Sequence, residues 1–185
     1  DIMARFPHEL SGGQLQRVSI IRSMSLNPSL IVADEPVSML DVSVRADIIN
    51  MLIDVSKNRG NAMVFISHDI AVTRNISDNI AVMYLGRVVE YGSAADVVGN
   101  PQHPYTQALI SNCTSIDPDD VSEPIPIKGE PPTPVDPGPG CYFAPRCFKA
   151  CERCFKEYPP RVDVSGTHWA TCWCMGERAA EESSE

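Results

Sequence analysis

Two short apolar runs, each ending in polar residues, constrain this chain more than any other feature in it. Leu30-Ile31-Val32-Ala33 leads into Asp34-Glu35, and Ala62 to Ile66 leads into Ser67-His68-Asp69. Runs this short and this apolar read as buried strands of a parallel sheet. Between them, Ser43 is the expected N-cap of a helix with Val44, Ile48, Leu52 and Val55 on one face, stopped near Gly60. Ser11 precedes another periodic segment, with Leu15, Val18, Ile21 and Met24 forming one apolar face. Ile80–Leu85 and Val88–Tyr91, joined across Gly86-Arg87, predict a hairpin. Strand, helix, strand with acids and a histidine at the strand ends predicts an α/β sheet whose ligand sits at those ends.

The rest of the chain has a different character. Eleven of the 16 Pro and six of the seven Cys lie in residues 115–185, where the net charge is -6 against -3 for residues 1–114. Nine Pro fall between Pro118 and Pro145, so residues 117–140 are expected to form an extended connector with neither helix nor central strand. The Glu177–Glu185 stretch is acidic and apolar-poor, and is expected to fray. The total charge of -9 argues against the broad basic face of a phosphate-backbone binder. No apolar stretch approaches the roughly 20 residues of a membrane-spanning helix, and no basic-then-apolar leader opens the sequence. The first residue is Asp1, directly ahead of a dense motif, so a further upstream segment is expected.

Three motifs carry chemistry. In Leu10-Ser11-Gly12-Gly13-Gln14 two glycines let a ligand approach the backbone, and unpaired N–H groups at a helix start suit a phosphate. The Ser11 hydroxyl and Gln14 amide add neutral donors. A Gly-rich loop capping an ordinary helix is the plainer reading of a bare Ser-Gly-Gly, and the flanking Leu and Gln-Leu-Gln-Arg weigh against it. After the first strand, Asp34 and Glu35 would repel each other if buried without a cation. A nucleotide-bound magnesium near Asp34 resolves this, with Glu35 as general base or water-orienting group in phosphoryl transfer. A solvated acidic turn is the alternative. His68 closes the next strand, where a neutral imidazole can bond a terminal phosphate and sense its loss; a structural hydrogen bonder is the alternative.

In this order, the motifs resemble the ABC-type ATPases. Leu10–Gln14 resembles that family's signature, Ile31–Glu35 its Walker B strand with the catalytic glutamate, Ser38-Met39-Leu40-Asp41 its D-loop, and His68 its switch histidine. Met39 stands where the family usually has a small residue. The resemblance covers about residues 5–92. It implies Glu35 and His68 as catalytic residues, with Ser11, Gly12, Gly13, Gln14, Asp34 and Asp41 binding ATP and Mg2+. It also implies a second nucleotide-binding subunit, whose Walker A loop would hold the ATP that this signature closes on. No G-x-x-x-x-G-K-[ST] occurs in the sequence and no Q-loop is identifiable. The lysine-bearing phosphate loop is therefore expected upstream, and this chain alone is not expected to hydrolyse ATP.

A second resemblance lies in Asn100-Pro101-Gln102-His103-Pro104-Tyr105-Thr106-Gln107-Ala108-Leu109, the Pro-rich connector and Gly140-Cys141-x-Phe143-Ala144-Pro145-Arg146-Cys147. These are similar to the segments that follow the ATPase domain in oligopeptide/dipeptide importers. Cys141, Cys147, Cys154, Cys172 and His168 match that subfamily's pattern. Four thiolates in such a span can hold zinc or an iron–sulfur cluster. The resemblance favours a 4Fe-4S cluster; Tyr142, Phe143, Phe148 and Trp169 are expected as its apolar cover, with ordinary packing as the alternative. Cys113 is expected to pack as a small apolar residue, while Cys151 and Cys174 compete as ligands.

The expected fold class is α/β: a partial ABC-type ATPase domain, a parallel sheet with flanking helices, plus a small Cys-rich, loop-rich C-terminal module. The expected divisions are residues 1–92 for the ATPase portion, 93–140 for the importer-type extension, 141–174 for the Cys-rich module and 175–185 for the acidic tail. The module is expected to dock without extending a sheet. The function implied is the ATP-hydrolysing subunit of an oligopeptide or dipeptide importer at the cytoplasmic face of the membrane. Its implied partners are permease subunits and, indirectly, an extracytoplasmic solute-binding protein, with no nucleic acid. A soluble ABC-type ATPase of DNA repair or chromosome maintenance and a non-catalytic metal-binding module are the alternatives.

Overall fold

Ser11 stops the preceding chain and starts a helix, α1 (Gly12–Met24), by accepting the Gln14 N–H on its hydroxyl at 3.4 Å. In the computed structural model, residues 5–38, 40–113, 124–130, 132–133 and 135–175 are described, with the side chains of Val42 and Ser43 outside that set. Met39 of the segment resembling a D-loop, the first part of the connector and the tail beyond Met175 thus lie outside the described residues. The chain divides into two compact units, residues 1–69 and 70–185.

In the first unit, β1 (Leu30–Asp34) pairs in parallel with β2 (Ala62–Ile66), from Leu30 opposite Ala62 to Asp34 opposite Ile66. The crossover is α2 (Val42–Arg59), which ends at Gly60 in the left-handed conformation that glycine adopts without strain. Its N-cap is Asp41, two residues earlier than the expected Ser43. Ile20, Met24, Ile31, Ala33, Val37, Ile48 and Leu52 form the core, with Met63 and Phe65 packed against it.

Two expectations are corrected here. In α1 the buried residues are Ile20 and Met24, while Leu15, Val18 and Ile21 are exposed, because α1 meets α2 along the line that runs through Gly13. The strands are buried on one face only: Leu30, Val32, Val64 and Ile66 project from the other face and are exposed.

In the second unit, α3 (Ile70–Ile76) precedes the expected hairpin, β3 (Asn79–Tyr84) and β4 (Arg87–Ser93), which turns at Leu85-Gly86. Then come α4 (Ala94–Gly99) and α5 (Pro104–Ser111), whose N-cap His103 accepts the Tyr105 N–H on Nδ1 at 3.1 Å. The described part of the connector has no helix or strand, as expected. It is nonetheless held: Arg146 donates to the Lys128 and Gly129 carbonyls, and Asn112 donates to that of Ile125.

The Cys-rich segment adds α6 (Glu152–Lys156), β5 (Arg161–Ser165) and β6 (His168–Thr171). Here the sequence reading fails. β6 pairs antiparallel with β4, Glu90 opposite Ala170 and Tyr91 opposite Trp169, giving a four-stranded sheet in the order β3-β4-β6-β5. The segment therefore extends a sheet. The physical reason is a buried polar clamp. Glu90, fully buried, accepts the His168 Nε2–H at 2.8 Å, the Gln102 N–H at 2.8 Å and the His103 N–H at 2.9 Å. Ile80, Val82, Tyr84, Val89, Val97 and Phe143 fill the core beside it.

Candidate functional site

The first unit gathers the polar ends of its strands. β1 delivers Asp34, whose side chain is exposed, and the ladder runs one residue further as the Glu35 N–H donates to the Ile66 carbonyl at 3.0 Å. Glu35 then takes φ 42°, a left-handed conformation that costs a non-glycine residue roughly 1 kcal/mol or more. That turn, followed by Pro36, aims the carboxylate toward the end of β2, where Glu35 Oε1 lies 3.2 Å from His68 Nδ1. The Nδ1–H is the donor in this contact, since an ionised carboxylate only accepts. The pair is open to solvent, with side-chain exposures of 48% for Glu35 and 74% for His68. Ion pairs this exposed add little to stability. Holding the fold together therefore does not account for the strained backbone and the pairing. The strain at Glu35 was not legible in the sequence.

At the start of α1, Ser11 and Gln14 form a reciprocal cap: the Ser11 N–H donates to Gln14 Oε1 at 3.1 Å. The Ser11 O–H and the Gln14 NH2 are still donors after capping, and the first helical N–H groups have no intrahelical acceptor. Gly13 has a structural duty as well. A Cβ there would stand 2.6 Å from Val44 Cγ1, so the absent side chain is what lets α2 approach, while Gly12 has ordinary room. Asp41 caps α2 without a side-chain bond and is exposed. The arrangement offers two carboxylates, an imidazole and a helix start bearing neutral donors.

In the second unit the four expected ligands converge. Cys141, Cys147, Cys154 and Cys172 line one cavity together with Cys174, His103, Phe143, Pro159 and Trp173. Gly140 makes this possible: a Cβ there would meet the Cys154 carbonyl at 2.4 Å, and its absence lets the Cys141 N–H donate to that carbonyl at 2.7 Å. Burial pushes all four thiols up, Cys154 and Cys172 to about 12 and Cys141 and Cys147 in the same direction. The space enclosed is about 10 Å³, the room of a single water molecule. Four thiols are the donor type that a thiophilic metal takes. However, among the described residues no three His, Cys, Asp or Glu side chains close to metal-holding geometry.

Of the four aromatics expected as cover, Phe143 lines the cavity, whereas Phe148 is exposed and Trp169 stacks on Tyr91. Cys174, expected only as a competitor, is part of the lining. Cys113 lies just past the end of α5, half-buried, its Sγ 3.4 Å from the Leu109 carbonyl.

Comparison with known proteins gives matches over both units. Residues 1–38 match the family model described as ABC transporter, and residues 89–154 the model described as oligopeptide/dipeptide transporter, C-terminal region. The probable peptide ABC transporter ATP-binding protein y4tS of Sinorhizobium fredii is 46% identical over 184 residues, 100% of this chain and 52% of that protein. The dipeptide transport ATP-binding protein DppF of Haemophilus influenzae is 49% identical over 155 residues, 84% of this chain and 47% of that protein. The solved structure of cbiO1 from Clostridium perfringens, part of the ABC transporter complex cbiONQ, gives a TM-score of 0.47 at 32% identity, over 50% of this chain and 37% of that one. The chain spans about half the length of the curated relatives it matches.

Proposed function

The chain belongs to the ATP-binding proteins of ABC transporters, in their oligopeptide/dipeptide branch, and from that premise we propose that it supplies the hydrolytic half of an ATP site that powers peptide uptake. The observation that carries this reading is the Glu35–His68 pair, exposed, strained and set at the ends of two parallel strands. Glu35 takes a proton from, or orients, the attacking water. His68 holds the carboxylate by its Nδ1–H, which leaves Nε2 as the ring nitrogen for the terminal phosphate, a bond that needs a proton on Nε2 as well. Asp34 holds Mg2+ through oxygen ligands. Ser11, Gln14 and the N–H groups of α1 face a nucleotide held by a second ATP-binding subunit, and Asp41 lies in the loop between them.

The uncovered apolar face of Leu30, Val32, Val64 and Ile66 supports a further layer packing there in a protein of the relatives' length. Among the described residues no helix is long and apolar enough to cross a membrane. Docking on permease subunits at the inner face of the membrane is part of the proposal, as is the start of the Cys-rich module at residue 141.

The test is ATP turnover by the longer protein reconstituted with its permease in liposomes. Turnover should rise when a peptide-loaded binding protein is added and should not respond to DNA. Stimulation by DNA alone would replace the importer with a chromosome-associated ATPase.

For the cysteine cavity we propose that Cys141, Cys147, Cys154 and Cys172 hold a 4Fe-4S cluster, with zinc as the competing occupant. Convergence of all four on one lining supports this. Such a group would act as a structural staple. Cys141, Cys147, Cys154 and Cys172 would hold it and would give up their thiol protons on ligation. Protein isolated without oxygen should contain about four irons and four sulfides per chain, the content of such a cluster. One zinc and no sulfide would assign a structural zinc instead.

A further inference from the structure

The ligand pattern leaves over Cys151 and Cys174 in residues 141–174, and of the six cysteines there Cys151 is the exposed one. Cys151 stands at the N-cap of α6, and the Cys154 N–H donates to its carbonyl at 3.0 Å. That single turn places side chains i and i+3 on the same side, and the two sulfurs lie 3.4 Å apart. Arg153, between them in sequence, is fixed with its guanidinium 3.4 Å from the centre of the Trp173 ring and bonded to Glu157, so the turn is held in place. A disulfide needs about 2.0 Å between sulfurs, so bond formation has to bring this pair together from 3.4 Å.

We propose that Cys151 and Cys154 are a thiol–disulfide site, closed by low-molecular-weight disulfides and reopened by thiols. The exposed Cys151 sulfur attacks one sulfur of the oxidant, forming a mixed disulfide and releasing one small thiol. The Cys154 sulfur then attacks Cys151, breaking the mixed disulfide and releasing the second thiol. Two protons leave the cysteines and end on the two released thiols, so the protein loses two electrons to the oxidant. Cys172 and Cys174 also interact through their side chains, but Cys172 is buried and Cys174 half-buried, so neither meets an oxidant in solution first. Closing the bond withdraws Cys154 from the cavity it lines with the other thiols. This consequence rests on the cluster reading given above, whereas the disulfide itself does not.

The experiment uses the full chain, reduced and treated with a chelator, then equilibrated with oxidised and reduced glutathione, acid-quenched and blocked with N-ethylmaleimide. Trypsin cuts after Arg153, between the two cysteines. The disulfide therefore appears as peptides 150–153 and 154–156 joined by a bond that reductant splits. The joined pair should be the main oxidised species, absent from Cys151→Ser and unchanged in Cys113→Ser. Cys151 carrying glutathione while Cys154 is fully blocked at equilibrium, or a Cys172–Cys174 link in place of the pair, would overturn it. Iron and sulfide in anaerobically isolated protein are measured separately, so failure of the cluster leaves this result standing and failure of the disulfide leaves the metal content unexplained by it.

Discussion

Glu90 shows at the residue scale how one side chain fixes a segment far away in sequence. Its carboxylate accepts three N–H groups while fully buried, from two backbone positions ahead of α5 and from His168 on β6. Glu90→Ala leaves those donors buried without acceptors, and should cost about 3–5 kcal/mol. Urea unfolding followed by the fluorescence of Trp169 and Trp173, both in residues 70–185, measures it, with exposed Glu130→Ala as the neutral control. His103 gives a pH dependence. Burial lowers its pKa to about 4, from about 6.5 in the unfolded chain. The folded state thus disfavours the proton, so this stability is present above pH 6.5 and is lost as pH falls from about 6.5 towards 4. The loss should reach at most about 3 kcal/mol. His103→Asn keeps an acceptor for the Tyr105 N–H and removes the titration, so the wild-type and variant stability curves should diverge in that window. Parallel curves would mean the imidazole is hydrated in the fold.

At the scale of elements, local chemistry was legible and the choice of partner was not. Ser11 and Gly60 sit where the sequence puts them and the hairpin turn falls at Leu85-Gly86, one residue before the expected Gly86-Arg87, because caps and turns depend on neighbours a few residues away. The buried side of α1 was misread because Leu15, Val18 and Ile21 make as regular a stripe as Ile20 and Met24 do. Only the approach of α2 to Gly13 decides between the two. The pairing of β4 with β6 was missed for the same reason: the clue was one acid inside an apolar strand and one histidine 78 residues later. Adjacent glycines in α1 therefore predict different outcomes. In Gly13→Ala the new methyl meets Val44 at 2.6 Å, and overpacking should cost about 1–3 kcal/mol. Gly12→Ala meets ordinary contact distance and should be neutral or slightly stabilising in a helix. Helical circular dichroism during urea unfolding compares the two, and equal losses would show that the α1–α2 approach is looser than described.

On the scale of the whole molecule, the two units answer to different parts of the sequence. The first carries the acidic and imidazole ends of parallel strands, and the second carries a sheet closed by Cys-rich chain. The positions of the candidate site residues of the first unit were legible because each lies at a strand or helix end, where a motif of a few residues fixes the backbone. The cavity of thiols was legible only as a pattern; that Cys174 joins it depends on how β6 is followed by the chain. The role proposed for Glu35 is to drive ATP hydrolysis in a peptide-importing transporter. Its most direct test is ATP turnover and ATP retention by the longer protein carrying Glu35→Gln, which keeps the shape of the side chain and loses its basicity. Turnover should fall by about 10²–10⁴-fold, the usual worth of a general base, with ATP still bound. Turnover within a few-fold of wild type would contradict it.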